Sequence, residues 1–504
     1  MCSAGTPAAY GIAPGPLLLC RPESPHACQR RLTKPVRKPR MLVDYALISV
    51  LLVVGHLLRY NLRPLQRIHL PTPIIAGALG LVGGHQFLNI VPFARDADGQ
   101  VELAGYPGTL VALLFATLFL GARPRSAGAR DAVRRVGDTF FYNLASEMGQ
   151  YAVAMLFGLA VLAPLFASLD PGFALMLPAG FAGGHGTVAA VGNVFVEHGW
   201  ADALTVGYTF ATVGMLAGIV GGMLLVNLAV RRGWTRLIAS DYKLPESTRT
   251  GFVPADERRE TGRETTSPTA LDTLAWHAAL VFSAVGIAYG VDVLIGALTT
   301  ENHGVPLFAL ALLAGAALQK SLDALGFGAY VDRATMERIG SGLSDYLVAF
   351  AVASIEVAVV VEHAVPLVLM CLLGIAYSVL LLWFVGRKLM HNFWFERSLF
   401  VYGWNTGIVG IGIALLRIVD PRLRSGTLED FGVAYVGVSF FAIGMIVALP
   451  QLVVRGYVAA PAVVLAIGCV ACILLSRYLV GWFAIPPDQL RPGEEPLAGT
   501  TPSP

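Results

Sequence analysis

Apolar runs alternate with short charged breaks along the chain, most of the runs close to the roughly 20 residues that carry a helix across a hydrocarbon core of about 30 Å. They lie at 42–58, 70–92, 104–122, 139–168, 203–230, 273–298, 305–320, 342–361, 365–386, 430–454 and 461–482. Two further segments, 171–198 and 392–418, are apolar but interrupted by Gly and polar residues, and fit poorly as ordinary spans. The pattern predicts an all-α integral membrane protein.

Composition agrees. Of 504 residues, 55% are hydrophobic and 14% charged, against about a quarter charged in a typical soluble chain. The mean hydropathy is +0.65. A net charge of +3 gives no reason to expect a nucleic-acid partner. Cys2, Cys20 and Cys28 lie in a Pro-rich leader, and Cys371, Cys469 and Cys472 lie in apolar runs. The Cys469-Val-Ala-Cys472 spacing lacks a second pair to complete a metal or redox site, so no cofactor is expected.

Loop charges set the orientation, because cytoplasmic loops are enriched in Lys and Arg. Arg59, Arg63 and Arg67 follow the first span; Arg123, Arg125, Arg130, Arg134 and Arg135 follow the third; Arg231, Arg232 and Arg236 open a polar linker. These loops are assigned to the cytoplasm. The loop carrying Asp96, Asp98 and Glu102 against Arg95 is assigned outside. The linker, with Glu257-Arg-Arg-Glu260, is hydrophilic and expected to be flexible. Under this orientation Arg30, Arg31, Lys34, Arg37, Lys38 and Arg40 fall on the outer side, against the rule. Either translation starts at Met41, or residues 1–40 form a disordered leader.

The two halves resemble each other in order. Pro73-Ile-Ile-Ala-Gly-Ala-Leu answers Pro306-Leu-Phe-Ala-Leu-Ala-Leu, and Leu110-Val-Ala-Leu-Leu-Phe-Ala-Thr117 answers Leu347-Val-Ala-Phe-Ala-Val-Ala-Ser354. Thr187 and Thr406 correspond within the interrupted segments. Gly207, Phe210, Gly214 and Met215 answer Gly437, Phe440, Gly444 and Met445. With five full spans per half, an odd number, the second half is inverted relative to the first. The expected organisation is a leader at 1–40, a first membrane repeat at 41–230, a cytoplasmic linker at 231–270, a second, inverted repeat at 271–456, and an extra span with its tail at 457–504. Inverted repeats are typical of secondary transporters, whose sites lie near the midplane where broken helices meet.

Ala182-Gly-Gly-His-Gly-Thr-Val-Ala-Ala-Val-Gly192 is poor helix material. It suits a re-entrant hairpin that exposes amides to a carboxylate, with freed carbonyls and the Thr187 hydroxyl suited to a hard cation. Tyr402-Gly-Trp-Asn-Thr-Gly-Ile-Val-Gly-Ile-Gly412 follows the same logic. One hairpin is expected to enter from outside and the other from the cytoplasm, their tips meeting centrally. The competing reading makes both segments Gly-faced packing helices.

Gly183-Gly-His-Gly-Thr187, followed by small residues, resembles the glutamate–sodium symporter family, and the resemblance runs from about residue 42 to 456. It takes in the Pro73 and Leu110–Thr117 spans, Gln150, the linker and the second glycine segment. It implies a homodimeric bacterial inner-membrane symporter, not an enzyme, that takes up a small anionic substrate, glutamate, with Na+ through paired hairpins and an elevator-type movement. Where glutamate carriers tend to have Gly-Ala-Thr-Pro-Thr, this chain reads Gly407-Ile-Val-Gly-Ile-Gly412, without the hydroxyls. The extra last span is a second departure.

Gly184, Gly186, Thr187, Asn405, Thr406 and Gly407 are the candidate substrate residues; His185 and Gly183 are given a structural role at the turn. Ionisable groups inside a bilayer are candidate sites by default. Glu147 and Gln150 share a helix face, with Asn143 one turn earlier. Glu147 either lines the pathway or lies near the cytoplasmic interface. Asp292 and Glu356 are placed deeper; Glu356 either takes up a cation, pairs with Arg417 or sits near the outer surface. The other functions weighed are a proton-coupled carrier or exporter of another organic anion, an intramembrane hydrolase and a channel. No serine-nucleophile, zinc or nucleotide-binding motif appears. Mass spectrometry of the mature N-terminus is expected to find Met41 first; a peptide from 1–40 would overturn that start.

Overall fold

The computed structural model describes residues 40–67, 70–94, 103–122, 129–237, 250–255, 258, 262–298, 306–420 and 423–482. Residues 1–39 of the leader, the acidic loop with Asp96, Asp98 and Glu102, the loop arginines Arg123 and Arg125, part of the linker and the tail after Trp482 lie outside the described residues.

The described secondary structure is entirely helical. The first half comprises α1 (Arg40–Asn61), α2 (Thr72–Gly83), α3 (Gly105–Thr117), α4 (Ala129–Phe157), the pair α5 (Phe173–Phe181) and α6 (Gly184–Glu197), and α7 (Ala203–Arg232). The second comprises α8 (Thr273–Leu298), α9 (Leu307–Ala324), α10 (Arg333–Ala353), α11 (Ala364–Leu381), the pair α12 (Trp394–Thr406) and α13 (Val409–Val419), and α14 (Thr427–Val454). Helix α15 (Ala459–Leu479) follows. Eight helices among the described residues are long and apolar enough to cross a membrane. The order of elements is the same in both halves. Even a local irregularity recurs: α4 and α11 each widen into a π-helical turn, at Gly158–Leu162 and Leu382–Gly386.

Three runs expected as full spans are shorter or broken. Helix α2 has 12 residues and α3 has 13, giving lengths of about 18–20 Å at 1.5 Å per residue. Gly83-Gly84 ends the first of these, and a turn reaching Gly121 at φ 73° follows the second. The run at 342–361 breaks after Ala353, leaving Glu356 exposed ahead of a short helix, Val357–Glu362.

A helix that stops inside an apolar layer leaves main-chain groups that need partners. Gln86 supplies them to the break after α10: its Nε2 donates to the Ile355 carbonyl at 2.8 Å, and its Oε1 accepts from the Val357 amide at 2.9 Å. Gln319 does the same after α3, its Oε1 accepting from the Gly121 amide at 2.7 Å. Arg333 adds Nη1 bonds to the Leu118 carbonyl at 2.8 Å and the Leu120 carbonyl at 3.2 Å. Gln86 and Gln319 are separated by 233 positions, the spacing of the matched Pro73 and Pro306. Each half thus satisfies a break in the other.

The helices form two packed groups. Helices α1–α3 pack with α8–α10, and α4–α7 pack with α11–α15; α6 and α7 also touch α10, and α6 touches α3. In the first group α2 lies so close to α10 that a Cβ on Gly77 would sit 2.5 Å from Val352 Cβ and 2.8 Å from the Ala349 carbonyl oxygen. Helix α9 approaches α3 in the same way at Gly315, where a Cβ would lie 2.5 Å from the Ala116 carbonyl oxygen. In the second group α15 runs antiparallel along α4, with Val480 beside Gly137 and Gly468 beside Met148. Part of the linker expected to be flexible is docked: Phe252 packs edge-on to His56 at 4.3 Å and to Tyr60 at 5.6 Å.

Gly77→Ala is expected to lower the apparent unfolding temperature of the detergent-solubilised protein, as overpacking costs about 1–3 kcal/mol. Gly286→Ala on α8, where a Cβ meets nothing within 4 Å, is expected to leave it unchanged or slightly raised.

Candidate functional site

The two interrupted segments fold as helical hairpins. In the first, a Cβ on Gly172 at the start of α5 would lie 2.6 Å from the Phe195 ring near the end of α6, and one on Gly192 would lie 3.5 Å from Met176 Cε. The legs are therefore antiparallel. The turn falls at Ala182-Gly183, and Gly184 takes a φ of 66°, a conformation that a Cβ disfavours. In the second, a Cβ on Gly403 of α12 would lie 2.9 Å from Gly412 Cα of α13, and Gly412 faces the Phe400 carbonyl oxygen. Gly407-Ile408 makes that turn.

Helix α7 holds both hairpins. With 30 residues it is about 45 Å long. The first hairpin meets it from one end: Gly207 faces Met176 and Val188, and a Cβ on Gly180 would lie 2.7 Å from the Ala211 amide nitrogen. The second meets it from the other: Gly222 faces Leu415, Gly221 faces the Tyr402 hydroxyl, and Trp234 packs on Trp394 at 5.8 Å. At Gly214, between these contacts, a Cβ would strike the Thr406 carbonyl oxygen at 2.5 Å and the Phe181 ring at 2.7 Å. Side chains on this stripe would push the two tips off the helix.

The tips touch each other. A Cβ on Gly184 would lie 3.0 Å from Ile408 Cγ2 and 3.7 Å from the Gly407 carbonyl oxygen. A Cβ on Gly186, in the first turn of α6, would lie 3.8–3.9 Å from Val111 and Leu114 of α3 and Leu347 of α10. The meeting point therefore lies at the seam between the two helix groups. The first turn of α6 also brings amides that have no carbonyl one turn back.

Of the expected substrate residues, Gly184, Gly186, Thr187 and Gly407 belong to this meeting point. The Thr187 side chain folds over Gly183, which has no room for a side chain. Asn405 and Thr406 point elsewhere. Thr406 is fully buried, its hydroxyl donating to the Tyr402 carbonyl at 2.7 Å and lying against Gly218 of α7. Asn405 faces α4 and α11: its carbonyl accepts from Gln150 Nε2 at 3.0 Å and its Nδ2 donates to Ser378 Oγ at 3.4 Å. Local helix geometry alone, i versus i+1 around α12, separates these side chains from the tip.

His185 is buried and pinned to α7. The Thr212 hydroxyl gives its one proton to the Tyr208 carbonyl at 2.8 Å, so it accepts from His185 Nε2 at 3.0 Å, which fixes the tautomer. The His185 ring stacks on Tyr208 with centroids 6.1 Å apart, and its Nδ1 has no partner.

Glu147 is buried on α4 beside Asn143, Ser146 and Gln150. Sequence periodicity put Asn143, Glu147 and Gln150 together but overlooked Ser146, the fourth residue of the same face. Asp292 is half-buried on α8. Glu356 is exposed, and no ion pair joins it to Arg417 among the described residues. A cytoplasm-assigned cluster missed from sequence lies at the base of the second hairpin. There Arg397 pairs with Asp430 at 2.6 Å and donates to the Ser425 carbonyl at 2.9 Å, while buried Asp138 on α4 binds His391. Among the described residues no group of three His, Cys, Asp or Glu is placed to hold a metal ion.

A protein-family model described as sodium/glutamate symporter matches residues 41–394, more than two thirds of the chain. The match stops where α12 begins. No curated protein matches the chain.

Gly184→Ala is expected to lower the apparent unfolding temperature, since a left-handed conformation costs a side-chain-bearing residue roughly 1–2 kcal/mol. Gly186→Ala, with 3.8 Å of room, is expected not to. Thermal unfolding of both variants in detergent checks the contrast.

Proposed function

The chain belongs to the sodium/glutamate symporter family, and we propose that it takes up glutamate or a related small carboxylate with sodium by alternating access. The observation that carries this reading is the contact of two oppositely entering hairpin tips, Gly184 against Gly407-Ile408, at the seam between the helix groups. Gly184, Gly186, Thr187 and Gly407 are assigned to the substrate. The first-turn amides of α6 and their helix dipole suit its carboxylate, and the Thr187 hydroxyl adds a side-chain donor. Gly183 and His185 set the shape of the turn. Asn405 and Thr406 hold the second tip in place, through α4 and α7 respectively.

The reciprocal bracing by Gln86 and Gln319, at matched positions, supports two inverted repeats related by an approximate two-fold axis. The seam supports movement of the hairpin group against α1–α3 and α8–α10. Val111, Leu114 and Leu347 meet Gly186 there without hydrogen bonding to it, so sliding breaks no polar contact at that point. We assign the protein to a bacterial inner membrane as a homodimer.

A second reading, carriage of a different organic anion, is favoured by Ile408 and Val409 at the second tip, where glutamate carriers have hydroxyls. Uptake into proteoliposomes decides between them. A sodium gradient is expected to drive glutamate accumulation and a proton gradient is not; the reverse, or uptake of another anion in glutamate's place, selects the second reading. Thr187→Ala and Asn405→Ala are each expected to reduce uptake about tenfold, the effect of one lost interaction of about 1.4 kcal/mol, with folded protein unchanged. Loss of folded protein instead would mark both segments as packing helices.

A further inference from the structure

One face of α4 carries four residues at i, i+3, i+4 and i+7: Asn143, Ser146, Glu147 and Gln150. Each is at least nine-tenths buried, and each has a buried oxygen without a partner: Asn143 Oδ1, Ser146 Oγ, Glu147 Oε2 and Gln150 Oε1. A fifth, Asn405 Oδ1, comes from the second hairpin. The donors of the three amides are committed: Asn143 Nδ2 to the Thr139 carbonyl at 2.7 Å, Gln150 Nε2 to the Asn405 carbonyl at 3.0 Å, and Asn405 Nδ2 to Ser378 Oγ at 3.4 Å. Turning the Asn143 or Gln150 amide over would set its oxygen against another carbonyl oxygen, so the acceptors remain where they are.

A buried carboxylate without a partner is costly, and the amides beside it have their donors committed elsewhere, leaving the Ser146 hydroxyl as the uncommitted donor of this face. Among the described residues no cationic side chain is placed against it. Arg397, which reaches α4 at Thr139 about two turns below Glu147, is committed to Asp430 and the Ser425 carbonyl. Neutral oxygens around a single negative charge are the donor set of a hard monovalent cation. A multivalent metal would call for more charge, and no group of three ionisable ligands exists among the described residues.

We propose that the Asn143–Gln150 face of α4, completed by Asn405, binds the coupling sodium ion, with Glu147 as its charge-balancing ligand. This rests on the sodium-coupled reading above and adds a site to it, separate from the hairpin tips. Gln150 connects the two places, since the main chain it binds is that of Asn405, two residues before the second turn. An ion on this face would fix Asn405 and through it the position of Gly407, which is a direct route for sodium to favour the substrate-binding arrangement of the tips.

The test is the unfolding temperature of the purified full-length protein in detergent, without substrate, as NaCl replaces choline chloride at constant ionic strength. The wild type is expected to show a saturable rise with sodium. Glu147→Gln, which keeps the shape and removes the charge, is expected to lose that rise while unfolding near the wild-type temperature in choline. Should E147Q fail to fold, Glu147→Asp and Gln150→Ala serve instead, each expected to move the sodium titration midpoint up about tenfold, one ligand's worth of about 1.4 kcal/mol. A sodium titration unchanged by these substitutions overturns the site, leaving Glu147 as a protonated or hydrated side chain. No response of the wild type to sodium overturns the coupling itself, and this assignment with it.

Discussion

A helix end inside a membrane protein leaves amides or carbonyls without partners along the helix, and four such ends meet beside α7 in this chain. They belong to α5, α6, α12 and α13. Nothing in lipid can satisfy them, so the surrounding helices must come close enough to exclude lipid and still leave the ends reachable from one side. The stripe Gly207, Gly214, Gly218, Gly221 and Gly222 is the answer on α7, which gives up side chains so that two hairpins can lie directly on its backbone. Membrane helices gain little from burying apolar surface against one another, and depend instead on such close contact. The position of the tips is thus set by the absence of atoms on a third element.

The same constraint explains the pairing of the halves. Helix α3 and helix α10 also end within the apolar layer, and each break is completed by a glutamine from the opposite half. A break so completed cannot shift without leaving its own main chain unpaired, which ties α1–α3 and α8–α10 into one body. The hairpin group is held by a different element, α7, and joined to the first group along the apolar seam near Gly186. Two internally braced bodies with an apolar seam, and the proposed site placed on that seam, are the physical requirements for one body to move against the other.

Much of this was legible in the sequence, because in a membrane protein the apolar run and the glycine carry most of the local information. Run lengths located α1, α4, α7, α8, α9, α11, α14 and α15, and the glycines around His185 and Thr406 located both turns. Hydropathy averages over a window, however, and cannot see a helix stop within an apolar stretch; the early ends of α2 and α3 and the break before Glu356 were missed for that reason. The correspondence of Gln86 and Gln319 lay open in the repeat spacing, but nothing local distinguishes a bracing glutamine from a surface one. For Asn405 and Thr406 the position along the chain was informative and the direction was not. Adjacent helical residues point about 100° apart, and only the packing of α12 decides which faces α4, α7 or the tip.

The two hairpins are alike in geometry and unequal in chemistry. The first keeps Thr187 and a glycine-opened amide turn at its tip, while the second presents the Gly407 main chain and the aliphatic surface of Ile408. The family match runs to Trp394, the first residue of α12. Polar groups are not missing from that hairpin; they have been turned inward. The Asn405 main-chain carbonyl accepts from Gln150 and its Nδ2 donates to Ser378, while the Thr406 hydroxyl donates within its own helix, so these donors serve to fix the hairpin. Specificity in such a site is a difference between what the pocket can and cannot satisfy. On the proposed assignment, polar recognition of the substrate falls mainly on the first hairpin, and the second sets the size and apolar character of whatever group lies against Ile408.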